Sequence, residues 1–237
     1  MSYIKDNFLL TNKTAEKLYF SYAKDMPIFD YHCHLSEKVI LENKEFKDIF
    51  EIWLSGDHYK WRIMRLNGVD EYYITGGASD KEKFLKFAEA LPKAIGNPLY
   101  HWSHLELQRY FDFHKPLNAD TAEEAWQVCN AKLAQADMSV RNLIRRSNVT
   151  VICTTDDPID TLEWHDAIAK DDTFEVKVLP AWRPDKAMNI EKPDFTDYIA
   201  KLADVSGVAI SNFEDLKKAL KVRLDYFASK GCCVSDH

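Results

Sequence analysis

The stretch Ile28-Phe29-Asp30-Tyr31-His32-Cys33-His34 decides how this chain reads. Pro27 to Tyr31 is short, apolar and aromatic, which suits a buried β-strand better than a helix. It ends in His-Cys-His. Residues two apart on a strand point the same way, so His32 and His34 project together while Cys33 turns toward packing. Two imidazoles placed like this can bind one divalent cation. With eight His in 237 residues, such spacing also arises by chance, or as a hydrogen-bonded pair without metal. Position at the end of a strand, after Asp30, favours the metal reading.

Three further runs share that form: Val149 to Thr154, Phe174 to Leu179 and Cys232 to Ser235. All four read as buried parallel strands. Each is followed by polar or ring-bearing residues: His-Cys-His, Thr-Thr-Asp-Asp-Pro, Pro-Ala-Trp-Arg-Pro-Asp and Ser-Asp-His. Functional groups gathered at the carboxyl ends of successive strands are the mark of α/β barrels and open α/β sheets. Helices are expected between them. One runs from Pro158 to Lys170 with Asp157 as N-cap, and another from Phe195 to Ala203. A third runs from Phe213 to Lys230, with Phe213, Leu216, Leu220, Leu224 and Phe227 on one stripe and Gly231 as its stop.

Between the first and second strands, residues 35–148 contain no convincing strand. Helical pieces are expected over Glu45–Leu54, Asp80–Leu91, Ala122–Ala134 and Val140–Ser147, separated by Gly76-Gly77, Pro92, Gly96-Asn97-Pro98 and Pro116. This reads as a helical insertion over the mouth of the sheet. The sequence stops at Asp236-His237 just after the fourth strand, so the expectation is an N-terminal fragment of a longer α/β barrel.

Composition narrows the class. Hydrophobic residues make up 46% and charged residues 29%, with a net charge of −7. That fits a globular protein and gives no support for nucleic acid or an anionic membrane as partner. No signal peptide or membrane-length apolar run is evident. Five cysteines without a C-x-x-C pair suggest reduced thiols and a cytoplasmic setting.

Other constellations leave alternatives open. Gly56-Asp57-His58-Tyr59-Lys60-Trp61-Arg62 reads as a loop in which Tyr59 is able to shuttle protons and His58 to bond sugar oxygens, or as a solvated loop with one packed Trp. Arg183, between Pro180 and Pro184, suits capture of a carboxylate, or a structural ion pair with Asp185. Thr154-Thr155-Asp156-Asp157-Pro158 reads equally as a run that places a carboxylate at the active face or as a plain helix cap, the preferred reading for Asp157. Asp236 and His237 are candidates for supporting or substrate-contacting roles. His101 and His104, one helical turn apart, read as helix surface or core.

Taken together, Phe29 to Leu35, Gly56 to Arg62, Gly96 to Trp102, Thr154 to Pro158 and Trp182 to Lys186 resemble uronate (glucuronate) isomerase, a divergent family of the amidohydrolase superfamily. The resemblance implies the N-terminal part of a distorted (β/α)8 TIM-like barrel, with the helical insertion after its first strand, and one divalent metal ion, often zinc. It implies aldose–ketose isomerisation of D-glucuronate to D-fructuronate, and of D-galacturonate to D-tagaturonate, through a cis-enediol. His32 and His34 match the metal ligands, Tyr59 a proton-shuttling tyrosine, His58 a substrate-contacting histidine and Arg183 an arginine for the substrate carboxylate. The family's general base is an Asp of the last barrel strand, which is not among these residues. The partner expected is a small hexuronate, and a homo-oligomer is compatible. The competing expectations are a metal-dependent hydrolase of the same superfamily and an inactive truncated product.

Overall fold

Val149–Cys153 is rich in β-branched residues and forms the middle strand, β2, of a three-stranded parallel sheet. On one side lies β1, Ile28–Asp30, with Ile28 opposite Val149 and Asp30 opposite Ile152. On the other lies β3, Lys177–Leu179, with Val151 opposite Lys177 and Cys153 opposite Leu179. These features come from a computed structural model, which describes residues 3–236. The chain divides into two compact units. One comprises residues 3–25 and 45–139, the other residues 26–44 and 140–236. The sheet belongs to the second.

The sheet is shorter and less covered than the sequence suggests. Ile28 and Phe29 are 48% and 51% exposed, and among the described residues β1 is an edge strand paired with β2 alone. Phe174 to Val176 do not join β3. Phe174 turns back through a bond from its N–H to Asp171 O and lies under the guanidinium groups of Arg141 and Arg145, 4.9 and 5.2 Å from its ring. The expected fourth strand, Cys232 to Ser235, reduces to a single bridge between Trp182 and Ser235. The cause is local: the Cys232 N–H donates to Phe227 O and closes the preceding helix, so it is lost to a ladder. Gly231 makes that turn at φ +91°, where a side chain is strained, and an added Cβ would stand 3.1 Å from Leu179 Cδ2.

The helices of this unit are set by polar clamps as much as by apolar stripes. Arg141 is buried and donates to Ile40 O and Leu41 O, satisfying the carboxyl end of helix Glu37–Leu41. The helix expected from Pro158 forms only over Glu163–Ile168. Asp157 accepts from Ile159 N–H and Asp160 from Asp157 N–H, making a turn that competes with helix. The carbonyls of Pro158 and Asp160 are taken by Arg223, and Leu162 at φ +56° breaks the path.

Helix Phe213–Ser229 begins on Asn212, whose side chain accepts from Asp215 N–H. Its buried face is Ala219, Arg223 and Phe227, with Leu216 and Leu220 half-buried beside it, whereas Phe213 and Leu224 are exposed. The stripe is displaced because Arg223 reaches inward to bind the Pro158–Asp160 turn. Helix Phe195–Ser206 packs Tyr198 and Leu202 against Ala187 and Ala219.

The other unit contains no strand among its described residues. Its helices include Ile49–Trp53, His58–Leu66, Asp80–Ala90, Pro98–Phe111 and Ala122–Leu133. Phe84, Phe87, Leu91 and Leu107 are fully buried. Helix Asp80–Ala90 starts with a reciprocal Ser79–Glu82 cap, and Pro98–Phe111 starts on Asn97 followed by proline. Within the latter, His104 is a core residue. Leu117 N–H donates to its Nε2, so its Nδ1 carries the proton donated to Tyr100 O. No helix among the described residues is long and apolar enough to cross a membrane.

Candidate active site

Beyond Asp30 the chain stays beside β2. Cys33 N–H donates to Cys153 O at 2.9 Å, and the Thr155 hydroxyl donates to Cys33 O at 3.1 Å. That anchor fixes the residues on either side of Cys33. His32 and His34 therefore leave from the same side, with their Nε2 atoms 3.0 Å apart and their rings at 79°. Both are exposed. Without a cation, one Nε2–H donates to the other Nε2.

Asp236 stands behind the pair. Its Oδ2 lies 3.4 Å from His32 Nδ1 and 3.6 Å from an Arg183 terminal nitrogen. That oxygen is buried and has no hydrogen-bond partner among the described residues. Arg183 donates from Nε to Asp185 at 3.0 Å, so the ion pair read from sequence forms. It leaves the rest of the guanidinium fork near Asp236.

These residues fit part of a divalent-cation site. Two imidazoles at about 2.0–2.1 Å from one tetrahedral ion have nitrogens roughly 3.3 Å apart, close to the spacing here. A carboxylate behind the other ring nitrogen is the usual means of orienting a ligating histidine. The under-satisfied Asp236 oxygen fits that task. Among the described residues, no group of three His, Cys, Asp or Glu is arranged to hold a metal. His237 lies outside the described residues.

Tyr59 and His58 belong to the helical unit. The run from Gly56 to Arg62 is not the loop expected. Asp57 caps helix His58–Leu66 by accepting from Tyr59 N–H and Lys60 N–H, and its carboxylate pairs with Lys60 Nζ at 3.0 Å. Tyr59 is 67% exposed on that first turn, with the Arg62 guanidinium over its ring. His58 packs edge-on against Trp61, whose indole N–H donates to Leu54 O. The structure thus groups His32, His34 and Arg183 on one unit and puts Tyr59 and His58 on the other.

Sequence reasoning missed a second cluster at the end of the sheet. Thr154, Asp156 and His165 are 2%, 4% and 3% exposed. The Thr154 hydroxyl donates to Asp156 Oδ2 at 2.7 Å and lies 2.8 Å from His165 Nε2. Asp156 Oδ2 also accepts from Ala181 N–H at 2.9 Å. With its one proton given to Asp156, Thr154 accepts from His165 Nε2–H. His165 Nδ1 is then a bare acceptor, buried without a partner among the described residues. Burial pushes Asp156 up to about 6, against the bonds from Thr154 and Ala181, and pushes His165 down toward its neutral form. The spacing of Thr154 and Asp156 was the only available signal. Their partners His165 and Ala181 lie 11 positions from Thr154 and 25 from Asp156.

A family model described as glucuronate isomerase matches residues 1–237. The uronate isomerase of Lachnoclostridium phytofermentans is 64% identical over 235 residues, covering 99% of this chain and 50% of that protein. That of Lachnospira eligens is 62% identical over the same shares. Among solved structures, uronate isomerase from Thermotoga maritima superposes with a TM-score of 0.93 at 42% identity, covering 100% of this chain and 52% of that one. Glucuronate isomerase from Caulobacter crescentus gives 0.86 at 26% identity, covering 96% and 49%. The chain spans about half the length of the relatives it matches. An α/β fold with a small parallel sheet, helical surroundings and a full-length match to one family model lead to one conclusion: this chain belongs to the glucuronate isomerase family.

Proposed function

We propose that these residues serve a uronate isomerase, converting D-glucuronate to D-fructuronate and D-galacturonate to D-tagaturonate through a cis-enediol. The sheet is read as the first part of a (β/α)8 barrel. What supports this is the gathering of chemistry at the carboxyl ends of its strands. The observation that carries the reading is the convergence of His32 and His34 at 3.0 Å beside the Asp236–Arg183 pair.

His32 and His34 would hold a divalent cation, with zinc the expected ion and Asp236 keeping His32 oriented. Such a cation supplies stabilisation of the negative charge that develops as the carbonyl moves from C1 to C2. Arg183 takes the substrate carboxylate through the part of its fork that Asp185 and Asp236 leave free. Tyr59 passes a proton to or from a sugar oxygen, and His58 binds a substrate hydroxyl. A cytoplasmic setting is part of the proposal, supported by five cysteines that are all free thiols.

The test is conversion of D-glucuronate by the purified chain with added zinc or manganese. It is run alone and with the C-terminal half of the Lachnoclostridium phytofermentans relative supplied as a separate polypeptide. Ketose formation in either mixture, lost in Arg183→Met, supports the proposal. Failure of both mixtures, with both polypeptides folded, defeats it.

A further inference from the structure

The buried cluster and the half-buried Arg183 are joined by backbone. Asp156 grips the segment after β3 three times: its side chain accepts from Ala181 N–H, its own N–H donates to Ala181 O at 3.2 Å, and its own carbonyl accepts from Arg183 N–H at 3.0 Å. Trp182, between them, faces the other way. Its N–H donates to Val234 O, and its carbonyl accepts from Asp236 N–H at 2.9 Å. Every amide from Ala181 to Arg183 is therefore used, and Trp182 fixes the backbone N–H of Asp236.

We propose that Thr154, Asp156 and His165 are positioning residues for Arg183, a buried clamp that holds Ala181–Arg183 in place and so aims the guanidinium at the substrate carboxylate. The proposal rests on the reading of Arg183 given above. Each member has a separable task. Ala181 is 1% exposed, so its N–H needs an internal acceptor, and Asp156 supplies it. Thr154 accepts from His165 and directs its proton to Asp156 at 2.7 Å, the nearer of two acceptors, with Leu179 O at 3.2 Å. His165 is held on helix Glu163–Ile168, which ties the clamp to the layer covering the sheet. Two β-bridges, Asp156 to Trp182 and Trp182 to Ser235, continue the grip across to the residue before Asp236.

A cluster that only stabilises the fold would not affect carboxylate recognition selectively, and two readouts separate the cases. Hydrogen exchange by mass spectrometry follows peptides spanning 179–184, and calorimetry follows D-glucuronate binding. Both are made on the full chain and on Thr154→Val, Asp156→Ala, Asp156→Asn and Arg183→Met. Losing one buried bond should speed exchange over 181–183 and weaken uronate binding, each by about tenfold, in Thr154→Val and Asp156→Ala. Asp156→Asn keeps an acceptor oxygen and should restore most of both. Thr154→Val preserves side-chain shape, so it covers the case in which Asp156→Ala does not fold. Unchanged exchange in both disruptive variants overturns the clamp. Faster exchange with unchanged uronate affinity overturns positioning, while loss of binding in Arg183→Met leaves the arginine reading standing. Undiminished binding in Arg183→Met, or none in the unaltered chain, removes that reading and this proposal with it.

Discussion

Two polar clusters share one end of the sheet, and they are opposites. His32 and His34 are exposed and converge on a point that no third ligand reaches among the described residues. Thr154, Asp156 and His165 are closed to solvent and, apart from His165 Nδ1, bonded to one another or to backbone. The open cluster offers lone pairs to something arriving from outside. The closed one uses nearly all its capacity on the chain itself. A polar group near a strand end is thus a candidate for chemistry when its neighbours leave it under-satisfied, and for architecture when they do not.

The largest effects should follow from the open cluster. Replacing Arg183 with Met should raise KM for uronate by about 100-fold or more, because a charge-assisted pair worth about 3 kcal/mol is lost. A KM within a factor of two of the parent would return Arg183 to the structural ion pair with Asp185. Next, Asp236→Asn should weaken divalent-metal affinity by about 10–100-fold, the usual cost of losing a carboxylate behind a ligating histidine. Metal titration with a competing chelator measures it. An unchanged affinity would mean that the 3.4 Å contact with His32 is incidental.

The closed cluster should answer chiefly in stability. Thr154→Val should cost about 1–3 kcal/mol in urea unfolding, since partners of the hydroxyl are left buried and unpaired. A cost below about 0.5 kcal/mol would show that Asp156 and His165 repair the gap themselves. The smallest effect is on pH dependence. Asp156 has an ordinary value of 3.8 and is raised to about 6 in the fold. Folding therefore favours its protonated form. That contribution is complete below about pH 4 and is lost as pH rises through about 6. Asp156→Asn removes the titration, so the parent should lose stability relative to the variant over that interval, at up to about 1.4 kcal/mol per pH unit. Parallel stability curves would mean the carboxyl is not raised.

Much of this architecture was legible because its signals are local. The β-branched run Val149–Cys153, the helix that begins at Asp80 and the Gly231 turn after the last helix can each be read from a few adjacent residues. The H-x-H geometry needed only the period of a strand. Other features were hidden where a distant partner decides. Arg223 turns the last helix because two carbonyls of the Pro158–Asp160 turn accept its bonds, a contact across 63–65 positions. Cys232 looks like a strand residue, yet its amide closes the helix before it. At Gly56-Asp57 the signal was present but misread: an Asp before His-Tyr-Lys is a helix cap as readily as a loop residue. The metal pair could be proposed from sequence, whereas the clamp behind Arg183 could not. Three of its residues lie within a short span, and the amide they hold is 25 positions further on.

The central claim is that His32 and His34 are ligands, and metal stoichiometry tests it most directly. The purified chain, loaded with zinc and passed through a desalting column, is analysed by mass spectrometry for bound metal, beside His32→Ala, His34→Ala and His101→Ala. The account predicts about one zinc per chain in the parent and in His101→Ala, and almost none in the other two variants. Equal zinc in all four proteins would contradict it.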